Sequence, residues 1–410
     1  MKLPNELIDH IFSFLSSKPS LASCSLVCPM WTDAAHRYLF RKLVYVRGKW
    51  DIPDVPALLR FLEDTPSVAK HVRILDLEGG CDQMMSYWAD VEPDVFASLL
   101  EALPNVEHVI MDVVIFSGCS SDDEDEDNGE DKDRNMDTKL MTFGGSGRHL
   151  KSLKIGRTSI EGGNPFYTLS RLLQPIESLH TLQVSGLSYL PDQRSVVSLR
   201  EYCSGLVLPS HLGIQKFVWK FESTVAIVFL ETLRQASPCT LRHFDFSYFT
   251  HSDWENMTWV VQDFLNDVGA GLETLSIALT GAHDLSSCKS LQTVTFYHDT
   301  AARASDNLPL CFNTMLNTLS TAPHIPFKLS IRFGYFYLGK IAQHARVLSE
   351  LDWKKLVEIV RLHPCKEKKV TVIFWGSRTF SYFDDVEQIA RKKLAGLDAK
   401  GWLEVVRRFS

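Results

Sequence analysis

The sequence predicts an α/β fold in which three short N-terminal helices precede an irregular solenoid of parallel strands and helices. Two observations carry the solenoid. An apolar-x-x-apolar-x-apolar pattern recurs at 72–77, 106–111, 150–155, 179–184, 214–219, 241–246, 272–277 and 291–296, and looser β-rich runs follow at 327–333 and 369–374. These starts lie about 33 residues apart on average, with gaps from 19 to 44. Helical patterns fill many intervals: Val55–Asp64, Val95–Leu103, Phe166–Leu173, Val225–Gln235, Val261–Val268, Leu310–Leu319 and Leu351–Arg361. Pro66, Pro104, Pro175, Pro238 and Pro323 fall just after such helices, where stops belong. Alternating strands and helices with short connections build βαβ-like units whose strands pair in parallel. A doubly wound domain is the rival; it would place a ligand at a strand-order switch, and no glycine fingerprint for one is present.

The third observation is the first forty residues. Leu7, Ile8, Ile11, Phe12 and Leu15 recur at helical spacing, an apolar stripe too wide for one small helix to hide alone. Pro4 suits a first helical turn, and Glu6 and Asp9 lie near the positive end of the helix dipole. A second helix starts near Ser20 and carries Leu21, Ala22, Ser25 and Leu26. Pro29 interrupts it and opens a third, with Trp31, Ala34, Ala35, Tyr38 and Leu39. Three such helices have little core of their own. Part of this apolar surface is therefore expected to belong to a partner.

Leu3 to Phe40 resembles an F-box. Leu3, Pro4 and Glu6 match its start, Leu7, Ile8, Ile11 and Leu15 its first helix, and Leu26, Val27, Cys28 and Trp31 its Leu-Val-Cys-x-x-Trp segment; Leu39 and Phe40 fit its end. Pro29 departs from the pattern, standing where the family usually has a basic residue. The wording is most similar to F-box proteins of mushroom-forming fungi. The resemblance implies docking onto the Skp adaptor of a cullin–RING ubiquitin ligase through Leu3, Pro4, Leu7, Ile8, Ile11, Leu15, Leu26, Val27, Cys28 and Trp31. The strand repeats resemble the degenerate leucine-rich repeats of fungal F-box proteins, without the asparagine ladders of regular ones. The implied organisation is an F-box at 1–44, a degenerate leucine-rich-repeat solenoid at 45–380 and a helical cap at 381–410. The cap reads as two amphipathic helices over Asp384–Phe409, closing the open end of the array.

Composition excludes several classes. With 45% hydrophobic and 23% charged residues the chain is of globular type. No apolar run approaches the ~18–20 residues that a membrane span needs. The carboxylates Glu6 and Asp9 stand where a signal peptide would be apolar, so secretion is not expected. The nine cysteines are scattered without a CxxC pair, which favours reduced thiols in cytoplasm and/or nucleus. Cys24 and Cys28 lie one helical turn apart, but no matching histidine pair follows, and no metal or cofactor is expected. Net charge is −7, and Asp122–Asp133 alone holds nine carboxylates and one lysine. The rest is near neutral and offers no basic field for nucleic acid. That run reads as a disordered acidic insertion spanning about 117–137, with Ser120 and Ser121 as candidate sites for an acidophilic kinase.

Along each strand, residues between the apolar positions point away from the helices. On a solenoid they line the concave face, and the candidate substrate face is His243, Asp245, Thr274, Thr293, Thr295 and Tyr297. Aromatic clusters at Tyr248, Phe249, Trp254 and Trp259, at Phe296 and Tyr297, and at Tyr335–Tyr337 are read as core filling, with hot-spot recognition as the alternative. No GxSxG, P-loop, HExxH or paired-cysteine motif is present, so no catalytic residues are expected. The resulting reading is a non-catalytic substrate receptor of an SCF-type ligase that binds the Skp adaptor, through it a cullin, and an unknown target protein. The alternative is an F-box scaffold bound to the adaptor but acting outside the ligase.

Overall fold

The computed structural model describes residues 4–15, 17–47, 54–82, 85–117, 147–161, 165–189, 208, 212–220, 224–236, 240–246, 254–278, 281–299, 308–322, 328–334, 341–363, 367–376 and 383–409. Residues 118–137 of the acidic insertion, Tyr248, Phe249 and Tyr335–Tyr337 lie outside them. The chain forms two compact units, Met1–Thr181 with Ser185–Leu212, and Leu182–Val184 with Gly213–Ser410.

The first unit begins with helices α1 (Asn5–Ser13), α2 (Lys18–Ser25) and α3 (Pro29–Leu39). Each start has a local cause. Pro4 precedes α1, the Ser17 hydroxyl accepts from Ser20 N–H at the head of α2, and Pro29 takes the first turn of α3, where its missing N–H costs nothing. The chain then enters a parallel sheet. Strand β1 (Lys42–Arg47) pairs with β2 (Ile74–Asp82), β2 with β5 (His108–Asp112), and β5 with β7 (Arg148–Ile155). Strand β9 (Ile176–Val184) follows in the same order. A short β3 (Met85–Tyr87) folds back antiparallel onto β2.

The unit also contains a second, smaller parallel sheet. It runs β4 (Ala89–Asp90), β6 (Val114–Ser117), β8 (Thr158–Glu161), β10 (Leu187–Tyr189), in the order of the strands that precede each one. Sharp corners separate the two layers. Val113 turns at φ 57 and Gly186 at φ 82. A side chain at Gly156 would collide with the Asp112 carboxylate, which accepts from Arg157 N–H at 2.9 Å and pairs with its guanidinium at 2.8 Å. The corner therefore needs glycine there. Burial pushes the Asp112 carboxyl up, but the Arg157 bonds outweigh it and leave the group below the usual carboxylate range. Helices α4 (Val55–Asp64), α5 (Pro66–Ala69), α6 (Pro93–Ala102) and α7 (Pro165–Leu173) complete the unit, and α4, α6 and α7 pack as successive neighbours.

The second unit repeats the scheme with longer helices. Its strands are β11 (Gly213–Trp219), β12 (His243–Phe246), β13 (Thr274–Ala278), β14 (Thr293–Asp299), β15 (Lys328–Gly334), β16 (Lys369–Gly376) and β17 (Leu403–Phe409). Each pairs in parallel with the next in sequence. This unit has no reversal of strand order among the described residues, so the doubly wound rival loses its switch point. The alternate apolar positions face a core in which Phe217, Phe244 and Phe264 follow one another, with ring centroids 6.1 and 4.8 Å apart. Helices α8 (Thr224–Ala236), α9 (Trp254–Val268), α10 (Leu308–Ser320), α11 (Ile341–Glu350) and α12 (Trp353–Leu362) stand between strands.

The shortest repeat, between β13 and β14, has no α-helix among the described residues. Its loop is held by side chains instead. Gln262 Oε1 accepts from Asp284 N–H at 2.7 Å, Thr318 Oγ1 from His283 N–H at 2.9 Å and Thr321 Oγ1 from Leu285 N–H at 2.8 Å. The buried backbone is thus satisfied without a helix.

Two expectations are corrected. The terminal stretch is not two amphipathic helices. After α13 (Phe383–Lys393) and α14 (Ala395–Asp398), Gly401 at φ 69 breaks the helix and β17 adds to the sheet beside β16. Its β-branched Val405 and Val406 suit a strand. At the other end, β1 crosses the expected boundary at residue 44, because Lys42–Arg47 register with Ile74–Gly79.

Candidate functional site

Helix α1 has two apolar faces. Ile8 and Phe12, four residues apart, turn inward and are 2% and 1% exposed. They build a small core with Leu21, Ala34 and Ala35, against which Leu15, Cys24, Trp31, Tyr38 and Leu39 pack. The Phe12 and Trp31 rings meet edge-on at 5.5 Å. Tyr38 donates to the Asp9 carbonyl at 2.9 Å and Arg37 pairs with the Asp9 carboxylate at 2.9 Å, tying α3 to α1. Thr32 donates to Ser25 O at 2.5 Å and fastens α3 to the end of α2.

The other face stays outside. Leu7, Ile11 and Phe14, at helical spacing, are 47%, 43% and 73% exposed, and Leu26, Val27 and Met30 in and beside the α2–α3 turn are 87%, 62% and 39% exposed. Cys28 is half-buried and caps α3 with extended backbone; its carbonyl accepts from Trp31 and Thr32 N–H. Six large apolar side chains on this small module are therefore at least 39% exposed, where isolated exposed apolar residues would be ordinary.

The residues expected to contact a partner therefore divide. Leu7, Ile11, Leu26 and Val27 are exposed, as is Pro4; Leu3 lies outside the described residues. Ile8 is corrected to a core residue, because its phase matches Phe12 rather than Leu7. Leu15 and Trp31 pack on the core. Phe14 and Met30 were not singled out in the sequence, although the Leu7–Ile11–Phe14 spacing was there to be read.

The candidate substrate face is brought together in the second unit. Register places His243, Thr274 and Thr293 side by side, and Asp245, Ser276 and Thr295 in the next row. Thr295 is corrected: at 4% exposed it, like Ser276 at 8%, is buried and cannot be offered to a partner. Tyr297 is half-buried; Arg332 donates to its hydroxyl at 3.1 Å and lies 5.0 Å above its ring. Of the aromatic clusters, Phe296 is core and Trp259 is 40% exposed.

Among the described residues no group of histidine, cysteine and carboxylate side chains could hold a metal ion. Cys24, Cys28, Cys288 and Cys311 are free thiols. Among those residues, too, no helix is long and apolar enough to cross a membrane.

No curated protein matches the chain. Residues 1–45 match the model of the F-box-like family, so the exposed face on α1 and the α2–α3 turn belongs to an F-box-like domain.

Proposed function

We propose that this chain is the substrate-recognition subunit of an SCF-type cullin–RING ubiquitin ligase, acting in the cytoplasm and/or nucleus. F-box domains commonly bind Skp adaptors, and the observation that carries the reading is the uncovered apolar face Leu7, Ile11, Phe14, Leu26, Val27 and Met30 on a domain of that family. In this reading the adaptor covers that face and bridges to a cullin, while the strand–helix units bind a target protein. The chain makes and breaks no bonds; it raises the effective concentration of target near the ubiquitin donor. Consecutive strand, corner, short strand and helix in the first unit support a degenerate leucine-rich-repeat organisation. His243, Thr274 and Thr293, adjacent across three strands, form the polar row best placed for a target.

The test is a pull-down of purified adaptor by the full chain and by the Leu7→Asp/Ile11→Asp variant. The variant is expected to lose the adaptor while keeping its thermal midpoint. Retention of the adaptor by a folded variant would overturn the assignment. Recovery of cullin with the wild-type chain, and its loss with the variant, separates a ligase subunit from a scaffold bound to the adaptor alone.

A further inference from the structure

The first unit also contains a basic cleft of about 420 Å³, lined from α1, α3, the α5–β2 turn, the residues just before β1 and β5, and Lys151 within β7. Parallel pairing fixes its floor. Arg73 N–H donates to Arg41 O at 2.9 Å, Glu107 N–H to Arg73 O at 2.8 Å and Lys151 N–H to Glu107 O at 2.7 Å. Arg41, Arg73, Glu107 and Lys151 therefore occupy one register row. With parallel strands ~4.8 Å apart, the row is roughly 15 Å long. Arg37 and Lys70 line the cleft as well, so five permanent cations stand against the two lining carboxylates and Asp33, which lies behind the cleft lining 3.6 Å from both Arg37 and Lys70.

Both lining carboxylates are already engaged. Glu107 lies 2.7 Å from Lys151 and 3.5 Å from Arg73, and the Lys151 hydrogen bond holds its carboxyl below the usual range. Asp9 is taken by Arg37 at 2.9 Å. Arg41 is exposed and has no carboxylate partner among the described residues. Excess cations in one concavity repel one another and raise the local concentration of anions.

We propose that this cleft binds a phosphoryl anion. Guanidinium forks match the oxygens of a phosphoryl group in bidentate geometry, and the lysines add point charges. The volume suits a phosphoryl group with the few atoms that carry it. The site is separate from the proposed adaptor face, because none of Leu7, Ile11, Phe14, Leu26, Val27 and Met30 lines it.

The ligand's phosphate can sit on a free polyphosphate or on a phosphorylated side chain, and calorimetry with the full chain at low ionic strength distinguishes them. The probes are inorganic tripolyphosphate and a short phosphoserine peptide, with the unphosphorylated peptide as control. Saturable binding of at least one phosphorylated probe is expected, weakening steeply with salt. Arg41→Ala should weaken it about tenfold, Arg41→Glu should abolish it, and Arg41→Lys should restore part of it; Arg41 is exposed, so unchanged thermal midpoints are expected for all three. Competition by the phosphopeptide assigns the site to a phosphorylated protein segment, and tripolyphosphate binding without such competition assigns it to a free anion; either outcome supports the site. Wild-type affinity in Arg41→Glu, or no saturable binding of either phosphorylated probe, overturns it. Adaptor capture by Arg41→Glu should be unaffected, so failure of the cleft and failure of the docking assignment are read separately.

Discussion

Truncating Leu26 to Ala probes docking with little disturbance of the fold. Leu26 is 87% exposed, so nearly all the free energy of burying its side chain is still available to a partner. Removing the three carbons beyond Cβ, at ~0.8 kcal/mol each, costs about 2 kcal/mol of binding, or roughly 30-fold in Kd. Ile11, at 43% exposed, has about half of its surface left to bury, so Ile11→Ala should cost about 1 kcal/mol, or roughly fivefold. Neither change should shift the stability of the unbound chain by more than about 0.5 kcal/mol. Their inward neighbours behave in the opposite way. Ile8→Ala and Phe12→Ala empty the core that joins the three helices, at about 2–5 kcal/mol each, and should melt the module before any contact is lost. Surface plasmon resonance on immobilised adaptor, paired with thermal melts, separates the two classes. Wild-type affinity in both Leu26→Ala and Ile11→Ala, with melts unchanged, would refute the assignment of this face to the adaptor.

Three further outcomes follow from the packing. His283 and His298 are buried, no ring nitrogen of either has a hydrogen-bond partner among the described residues, and burial pushes each pKa down to about 4. The unfolded chain binds these protons more readily, so stability is full above about pH 6.5 and falls as pH drops towards 4. At pH 5 each ring costs about 2 kcal/mol, and denaturant melts of His298→Phe should lose about half of that slope. Gly156→Ala forces the new methyl onto the Asp112 carboxylate and should cost about 1–3 kcal/mol, measured by urea unfolding. Burial pushes the Glu387 carboxyl up, but hydrogen bonds from Arg407 and Arg391 outweigh it and leave its pKa low. This stability is present above the unfolded carboxylate range and is lost as pH falls through the lower folded value. Glu387→Gln should cost about 1 kcal/mol at neutral pH and flatten that acid limb, read by melts at pH 3–7.

Periodicity alone located much of this molecule. The β-rich segments found in the sequence fall on β2, β5, β7, β9 and β11 to β16, because period-2 apolar spacing is a property of the strand itself. The Leu3–Phe40 wording is enough to identify the N-terminal module, since ordered side-chain types at fixed spacing need no tertiary information. Other features depend on neighbours distant in sequence. The corner strands β4, β6, β8 and β10 have two to four residues each and become strands only by pairing with one another. Strand β17 carries a run that reads as an amphipathic helix until β16 offers it an edge. Helical spacing says that Leu7 and Ile8 are both apolar; only the packing of α3 against α1 decides that Ile8 is core and Leu7 is surface. The basic cleft is still less local. Arg41, Arg73, Glu107 and Lys151 span 110 positions of sequence and share a row because parallel pairing fixes the register of four separate segments. Sequence by itself determined the repeated long strands and the identity of the N-terminal module, because those follow from local spacing. Tertiary structure alone decided which apolar face is left uncovered and which charges meet, because both depend on what lies across the strand or helix.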